Sequence, residues 1–273
     1  MLQLLAQSTD WMVEHLMHVE EVHALAALGI SKHVLGLFVV GLLLMLTFIP
    51  FGRALERDFV PRGRFVNLLE IILLFIRDEV ARPFLGKEGD RFLPVLWTFF
   101  FFILYCNLLG LFPLLPAPVV HDGHVVLSWS TVTPTGQVWV TGALAFTAAI
   151  WWHGHGIREQ GFIAYLKNIV PGGLPLALIP LMIVVELFSH VIKPLALMLR
   201  LWANMMGGHA VLYAFLGLIF LFGSGYTILA IAPVSVAVAA AVYMLELFVA
   251  FLQAYVFTFL VTVFLGAAVH PDH

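Results

Sequence analysis

Apolar residues in this chain run in long blocks, and the blocks set the elements. Residues 33–50 (HVLGLFVVGLLLMLTFIP) are long enough to cross about 30 Å of hydrocarbon, and Pro50 and Gly52 end the run. A second block covers about 92–113 and includes LWTFFFFILYCNLLGLFP. A third, 137–152, is short and ends in Trp151 and Trp152, residues suited to a membrane interface. Between the first two, 65–80 (FVNLLEIILLFIRDEV) reads as a helix lying along the membrane surface. Residues 10–28 (DWMVEHLMHVEEVHALAAL) read as a short amphipathic surface helix capped by Ser8, Thr9 or Asp10.

The last third of the chain follows a different length scale. Residues 174–222 carry no strong loop signal, Gly223, Ser224 and Gly225 break the run, and 226–267 continues it. At 1.5 Å per residue these segments would be about 73 and 60 Å long. Neither fits one upright span of about 30 Å. Each is either a pair of spans or one steeply tilted helix, with Pro180, Pro194 and Pro233 placed to kink either arrangement. A tilted hairpin is preferred, because it would hold a polar stripe near the bilayer midplane over a long distance. The expected fold is all-α and integral to the membrane. It has about five transmembrane helices plus a membrane-surface helix, the last two long, tilted and packed as a hairpin. Residues 1–273 read as one membrane domain, with an outer-face segment (1–32), a basic loop (53–91) and the long hairpin (174–267).

Composition agrees. The chain is 62% apolar and only 11% charged, against roughly 25% charged in soluble domains. The charges are segregated. Arg53, Arg57, Arg62, Arg64, Arg77, Arg82, Lys87 and Arg91 are most of the 13 Lys and Arg. The positive-inside rule puts 53–91 in the cytoplasm or its equivalent. Residues 114–136 have no Lys or Arg and fit a loop on the opposite face, and 153–173 returns to the basic side. The N-terminus has no basic n-region and carries Asp10, Glu14, Glu20 and Glu21, so it does not read as a signal peptide. The expected topology is multi-pass in a bacterial inner membrane, N-terminus outside and C-terminus cytoplasmic. Cys106 has no second cysteine to pair with. No basic stripe interleaves with exposed aromatics, which excludes nucleic acid. Glu14, His15 and His18, or His153 and His155, form no closed metal-ligand set, and a surface helix and a polar loop are the simpler readings. No cofactor is expected.

The chemistry concentrates in 186–209, ELFSHVIKPLALMLRLWANMMGGH. At about 100° per residue, Glu186, His190, Lys193, Arg200 and Asn204 fall within an arc of roughly 80°, and His209 lies off it. A charge near a bilayer centre costs about 2.5–3.5 kcal/mol or more, so such a stripe reads as a functional site. In the next segment Tyr243, Glu246 and Gln253 share one face of YMLELFVAFLQAYVF. Glu246 could simply pair with Arg200, Lys193 or a histidine. Buried ion pairs are poor stabilisers compared with apolar packing, which favours function. Arginine stays protonated and cannot easily relay a proton, whereas histidine and glutamate can. One permanent cation among several proton carriers suits proton translocation better than hydrolysis.

PLALMLRLWANMMGGH followed some forty residues later by ELFVAFLQAYVF resembles the a subunit of the F-type ATP synthase membrane sector. The likeness extends to the basic first loop, NLLGLFP at 107–113 and the SHVIKPL approach, and so covers most of the chain. It implies a non-catalytic subunit that forms two half-channels against a rotating c ring and works with b subunits and the rest of the complex. Arg200 matches the essential arginine facing the ring, with Asn204 and Gln253 beside it. His209 and Glu246 match the pair lining the outer half-channel, in the order of mitochondrial-type members. Glu186 and Lys193 match the inner half-channel, and Asn107 an amide near the outer one. Gly110 departs from members that carry an acid there. No P-loop is present, so no nucleotide is expected on this chain by that route. A secondary transporter lacks support from any internal repeat. One haem between His190 and His209 is disfavoured by their separation along one helix. Intramembrane proteolysis lacks its motifs.

Overall fold

The computed structural model describes residues 32–57, 63–112, 115–121, 124–130, 133–168, 175, 179–222, 226 and 228–269. The surface helix expected over 10–28, with Glu14, His15 and His18, lies outside these residues. The described elements are α1 (Lys32–Arg57), α2 (Arg64–Phe75), α3 (Arg82–Leu85), α4 (Leu93–Leu111), β1 (Leu115–His121), β2 (His124–Ser130), α5 (Val138–Gln160), α6 (Phe162–Asn168), α7 (Ile179–Phe222) and α8 (Ile228–Val269).

The fold is nearly all-helical, as the apolar blocks require. Among the described residues, His33–Glu56, Gly89–Leu111, Ile179–Ile219 and Ile228–Val269 are long and apolar enough to cross a membrane. The fifth expected span corresponds to α5, whose 23 residues run past Trp152 into HGHGIREQ and so mix an apolar start with a polar end. Helices α7 and α8 have 44 and 42 residues, or about 66 and 63 Å at 1.5 Å per residue. Each is one continuous helix, which removes the alternative of paired spans. At that length neither stands upright in about 30 Å of hydrocarbon.

Two local features differ from the sequence expectation. Part of the loop expected over 114–136 is an antiparallel hairpin, β1 to β2, pairing Leu115 with Ser130 and His121 with His124. The surface helix is interrupted: α2 gives way to a π-turn over Ile76–Ala81, then α3, then a 3-10 turn over Gly86–Phe92. Pro83 supplies no N–H to the preceding turn, and the widened turn directly precedes it.

The chain divides into two compact units. The first draws on the described residues of Met1–Gly41, Leu104–Gln137 and Trp202–Leu252. Leu104, Cys106, Leu109, Met205, Ala239 and Ala250 are buried in it. Tyr243 donates its hydroxyl to Leu111 O at 3.1 Å and meets Phe112 edge-on. The second comprises the described residues of Leu42–Ile103, Val138–Leu201 and Gln253–His273. Aromatic contacts knit it together: Phe99 with Trp151 and Phe257, Trp152 with Phe264, and Phe84 with Phe259. Gln160 donates to Ala268 O at 2.7 Å, and Arg91 pairs with Glu159 at 2.8 Å. Gly161, at φ +81, makes the turn from α5 to α6 that other residues rarely adopt.

In each unit α7 faces α8. In the first, a Cβ at Gly208 would meet Glu246. In the second, Lys193 Nζ lies over the Phe264 ring at 5.6 Å. Both helices also carry large exposed apolar side chains, among them Leu187, Phe188, Leu199, Met244, Leu245 and Phe248. A surface of this kind is covered by lipid or by a partner.

Candidate functional site

In the first unit the sequence-predicted His209 and Glu246 meet. His209 Nδ1 lies 3.6 Å from Glu246 Oε1. Both residues are buried, at 8% and 4% exposure. The spacing is longer than a hydrogen bond, and neither Glu246 oxygen has a protein donor in the described residues. Burying a carboxyl without donors costs free energy, so this is a poor stabilising contact. It places an imidazole and a carboxyl one small movement from proton exchange. The approach depends on Gly208, where a Cβ would lie 2.7 Å from Glu246 Oε1.

Asn107 is fully buried beside this pair's helix. It donates to Ala250 O at 3.3 Å, one turn beyond Glu246, and accepts from the Thr135 hydroxyl at 2.8 Å. Thr133 reaches His209 itself, with Oγ1 3.0 Å from Nε2. The other ring face of His209 stacks on Tyr213.

The second unit gathers Glu186, His190 and Lys193, as their shared helical face predicts. Glu186 Oε1 is 3.7 Å from Lys193 Nζ and 3.8 Å from His190 Nδ1. His190 Nδ1 lies 2.7 Å from Glu186 O, and since a carbonyl only accepts, Nδ1 is the donor. These groups line a cavity of about 100 Å³ together with His153, Gln160 and Tyr165. That is room for several water molecules. His153 stacks on His190 at 5.1 Å between ring centres, and its Nδ1 is hydrogen-bonded to the Tyr165 hydroxyl.

Arg200 belongs to the second unit and is exposed. It lines an open groove of about 220 Å³ with Lys193, Ser189 and Leu197, among otherwise apolar walls. No carboxylate lies within ion-pair distance of it among the described residues. Asn204 is exposed in the first unit, and Gln253 is buried in the second. Within the first unit the neighbour of Glu246 is His209.

Sequence reasoning missed Thr133, Thr135, His153 and Tyr165. The two threonines fall in a stretch without periodicity, and their only signal is Thr-Pro-Thr ahead of a helix. His153 was expected in a polar loop. It sits instead on α5, which continues to Gln160 despite Gly154 and Gly156.

The family model described as ATP synthase A chain matches residues 34–266. ATP synthase subunit a of Myxococcus xanthus is 43% identical over 252 residues, covering 90% of this chain and 76% of that protein. The subunit of Maricaulis maris is 39% identical over 234 residues, covering 84% of this chain and 85% of its own. That of Chloroherpeton thalassium is 38% identical over 250 residues, covering 90% and 68%.

Proposed function

The chain belongs to the ATP synthase A chain family, and from that premise we propose that it carries protons past a rotating ring of c subunits, coupling their flow to ATP synthesis or hydrolysis elsewhere in the complex. It is an integral membrane subunit and not itself catalytic. The observation that carries the reading is Arg200: a permanent cation exposed on an apolar surface, with no carboxylate at ion-pair distance among the described residues. An exposed guanidinium in such a setting calls for a partner that brings the negative charge. A ring of identical subunits, each presenting one carboxyl group in turn, would do so.

On this reading protons enter from the outer face near Asn107 and pass through His209 and Glu246 to a ring carboxylate. Neutralised, that carboxyl can turn through lipid, where its charged form would be costly. Its proton then leaves by way of Glu186, Lys193 and the cavity beside them. Arg200 favours the ionised ring carboxylate by its charge and so opposes return by the same route, with Asn204 and Gln253 as its polar neighbours on the family pattern. The residues act as one membrane domain, in the inner membrane, with the basic 53–91 segment in the cytoplasm, and b subunits complete the stator.

The test is transport by the purified complex in liposomes. ATP should drive proton uptake whether or not Na⁺ is present, and a reagent that modifies the ring carboxylate should stop it. Na⁺ uptake in place of proton uptake, or proton uptake indifferent to that reagent, would refute the reading.

A further inference from the structure

His209 is held at both ring nitrogens by side chains of other segments. Nδ1 faces Glu246 on α8, and Nε2 faces the Thr133 hydroxyl at 3.0 Å. Thr133 is 1% exposed and immediately precedes the 3-10 turn Pro134–Gly136. The segment is fixed where it is: Gly136 N donates to Thr133 O, and the Thr135 hydroxyl donates to Asn107.

A neutral imidazole is a donor at one nitrogen and an acceptor at the other. Conducting a proton through the ring exchanges the two roles. A proton from the outer path reaches Nε2 through the Thr133 hydroxyl, which gives its own proton to the ring and takes the incoming one on its oxygen, and the ring becomes the imidazolium. Transfer of the Nδ1 proton to the Glu246 carboxylate then leaves a neutral carboxyl and a neutral ring whose proton is now on Nε2. A backbone N–H or carbonyl opposite Nε2 could satisfy only one of those tautomers. A hydroxyl satisfies both, donating to Nε2 before the passage and accepting from it afterwards. In a buried site the difference matters, because an unpaired polar atom there loses its hydrogen bond to water with no replacement.

We propose that Thr133 is the positioning residue of His209, its hydroxyl pairing Nε2 in both tautomers so that the ring can pass protons to Glu246. This deepens the role given to His209 and Glu246 and rests on it. A separate observation supports the placement. A Cβ built on Gly110 would lie 2.6 Å from Thr133 Cγ2 and 2.8 Å from its Cβ. Thr133 thus occupies the space that a side chain at position 110 would need. The glycine and the threonine are two halves of one arrangement, in which a loop hydroxyl and not a group on α4 reaches the imidazole.

Thr133→Val and Thr133→Ser separate the hydroxyl from the packing. Valine keeps the shape and loses the hydroxyl; serine does the reverse. The complete complex carrying each is reconstituted in liposomes at equal content, beside the unmodified complex and an Arg200→Ala control. Thr133→Val should slow ATP-driven proton uptake about tenfold, equivalent to about 1.4 kcal/mol of barrier. Thr133→Ser should restore the rate to within about threefold of the unmodified complex. A packing role predicts the opposite order. That order, equal losses in both, or an undiminished rate in Thr133→Val overturns the proposal. Normal pumping by Arg200→Ala would instead reject the underlying function, so the two failures are told apart.

Discussion

His209 Nδ1 stands 3.6 Å from Glu246 Oε1, with side-chain exposures of 10% and 3%, and no third residue supplies either carboxyl oxygen with a hydrogen bond among the described residues. The two come from different helices and are drawn together over Gly208. A contact designed for stability would close to a hydrogen bond or be replaced by apolar packing. This one keeps two proton-carrying groups close, with the carboxyl unsatisfied among the described residues.

Gly208→Ala should therefore injure transport. Its Cβ would fall 2.7 Å from Glu246 Oε1 and 2.9 Å from Cδ, so the carboxyl must move. Overpacking of this kind costs about 1–3 kcal/mol, or about 5- to 150-fold in rate if it falls on the transport step. ATP-driven proton uptake at equal complex content measures it. A rate unchanged by the alanine would mean that the observed carboxyl position has no part in transport.

The pair should also be exchangeable. His209→Glu and Glu246→His should each cut pumping by about tenfold or more, while the double variant restores one imidazole and one carboxyl. Contacting residues couple by about 0.5–3 kcal/mol, so the double should exceed the worse single by about 2- to 150-fold. Initial rates of proton uptake in the four complexes decide it. A double no better than the worse single shows that the two sites act independently.

The π-turn over Ile76–Ala81 should have its own acid sensitivity. The Arg77 hydrogen bond holds the Asp78 carboxyl below the ordinary carboxylate range, with the Arg77 and Arg82 charges adding to the effect. A carboxyl with a lowered folded-state value contributes stability above its unfolded value of about 3.9 and loses it as pH falls through the lower folded value. Hydrogen exchange, corrected for intrinsic rate, should show constant protection over 76–85 from pH 7 to 5 and a decline below about pH 4. Asp78→Asn should remove that decline. Because the groups are exposed, salt should shrink the effect. Protection that persists unaltered to pH 3 in the unmodified protein would contradict it.

Much of this arrangement could be read from residue spacing. Helical periodicity put Glu186, His190 and Lys193 on one face, and they share one cavity. Run length alone indicated that α7 and α8 exceed a bilayer span. The same wheel set His209 apart from Arg200, and His209 turns instead to Glu246. What could not be read were contacts made by segments without a period. Thr133 lies in such a segment, and its bond to His209 is a long-range pairing that no local pattern encodes. His153 was obscured differently. Glycine has low helix propensity, yet Gly156 is buried where a Cβ would lie 2.7 Å from Tyr165 Cε2 and 2.9 Å from Ala268 O. Its role is close packing within a helix that continues. Tyr243 shares the face of Glu246, but its hydroxyl is committed to Leu111 O and anchors the helix.

The central claim is that Arg200, exposed and with no carboxylate at ion-pair distance among the described residues, is the fixed charge met by the ring carboxyl. Its most direct test is ATP-driven proton uptake by liposomes carrying the complete complex with Arg200→Ala, matched to the unmodified complex for content and for ATPase subunits. Abolished uptake is the expected result; uptake at the unmodified rate would contradict the account.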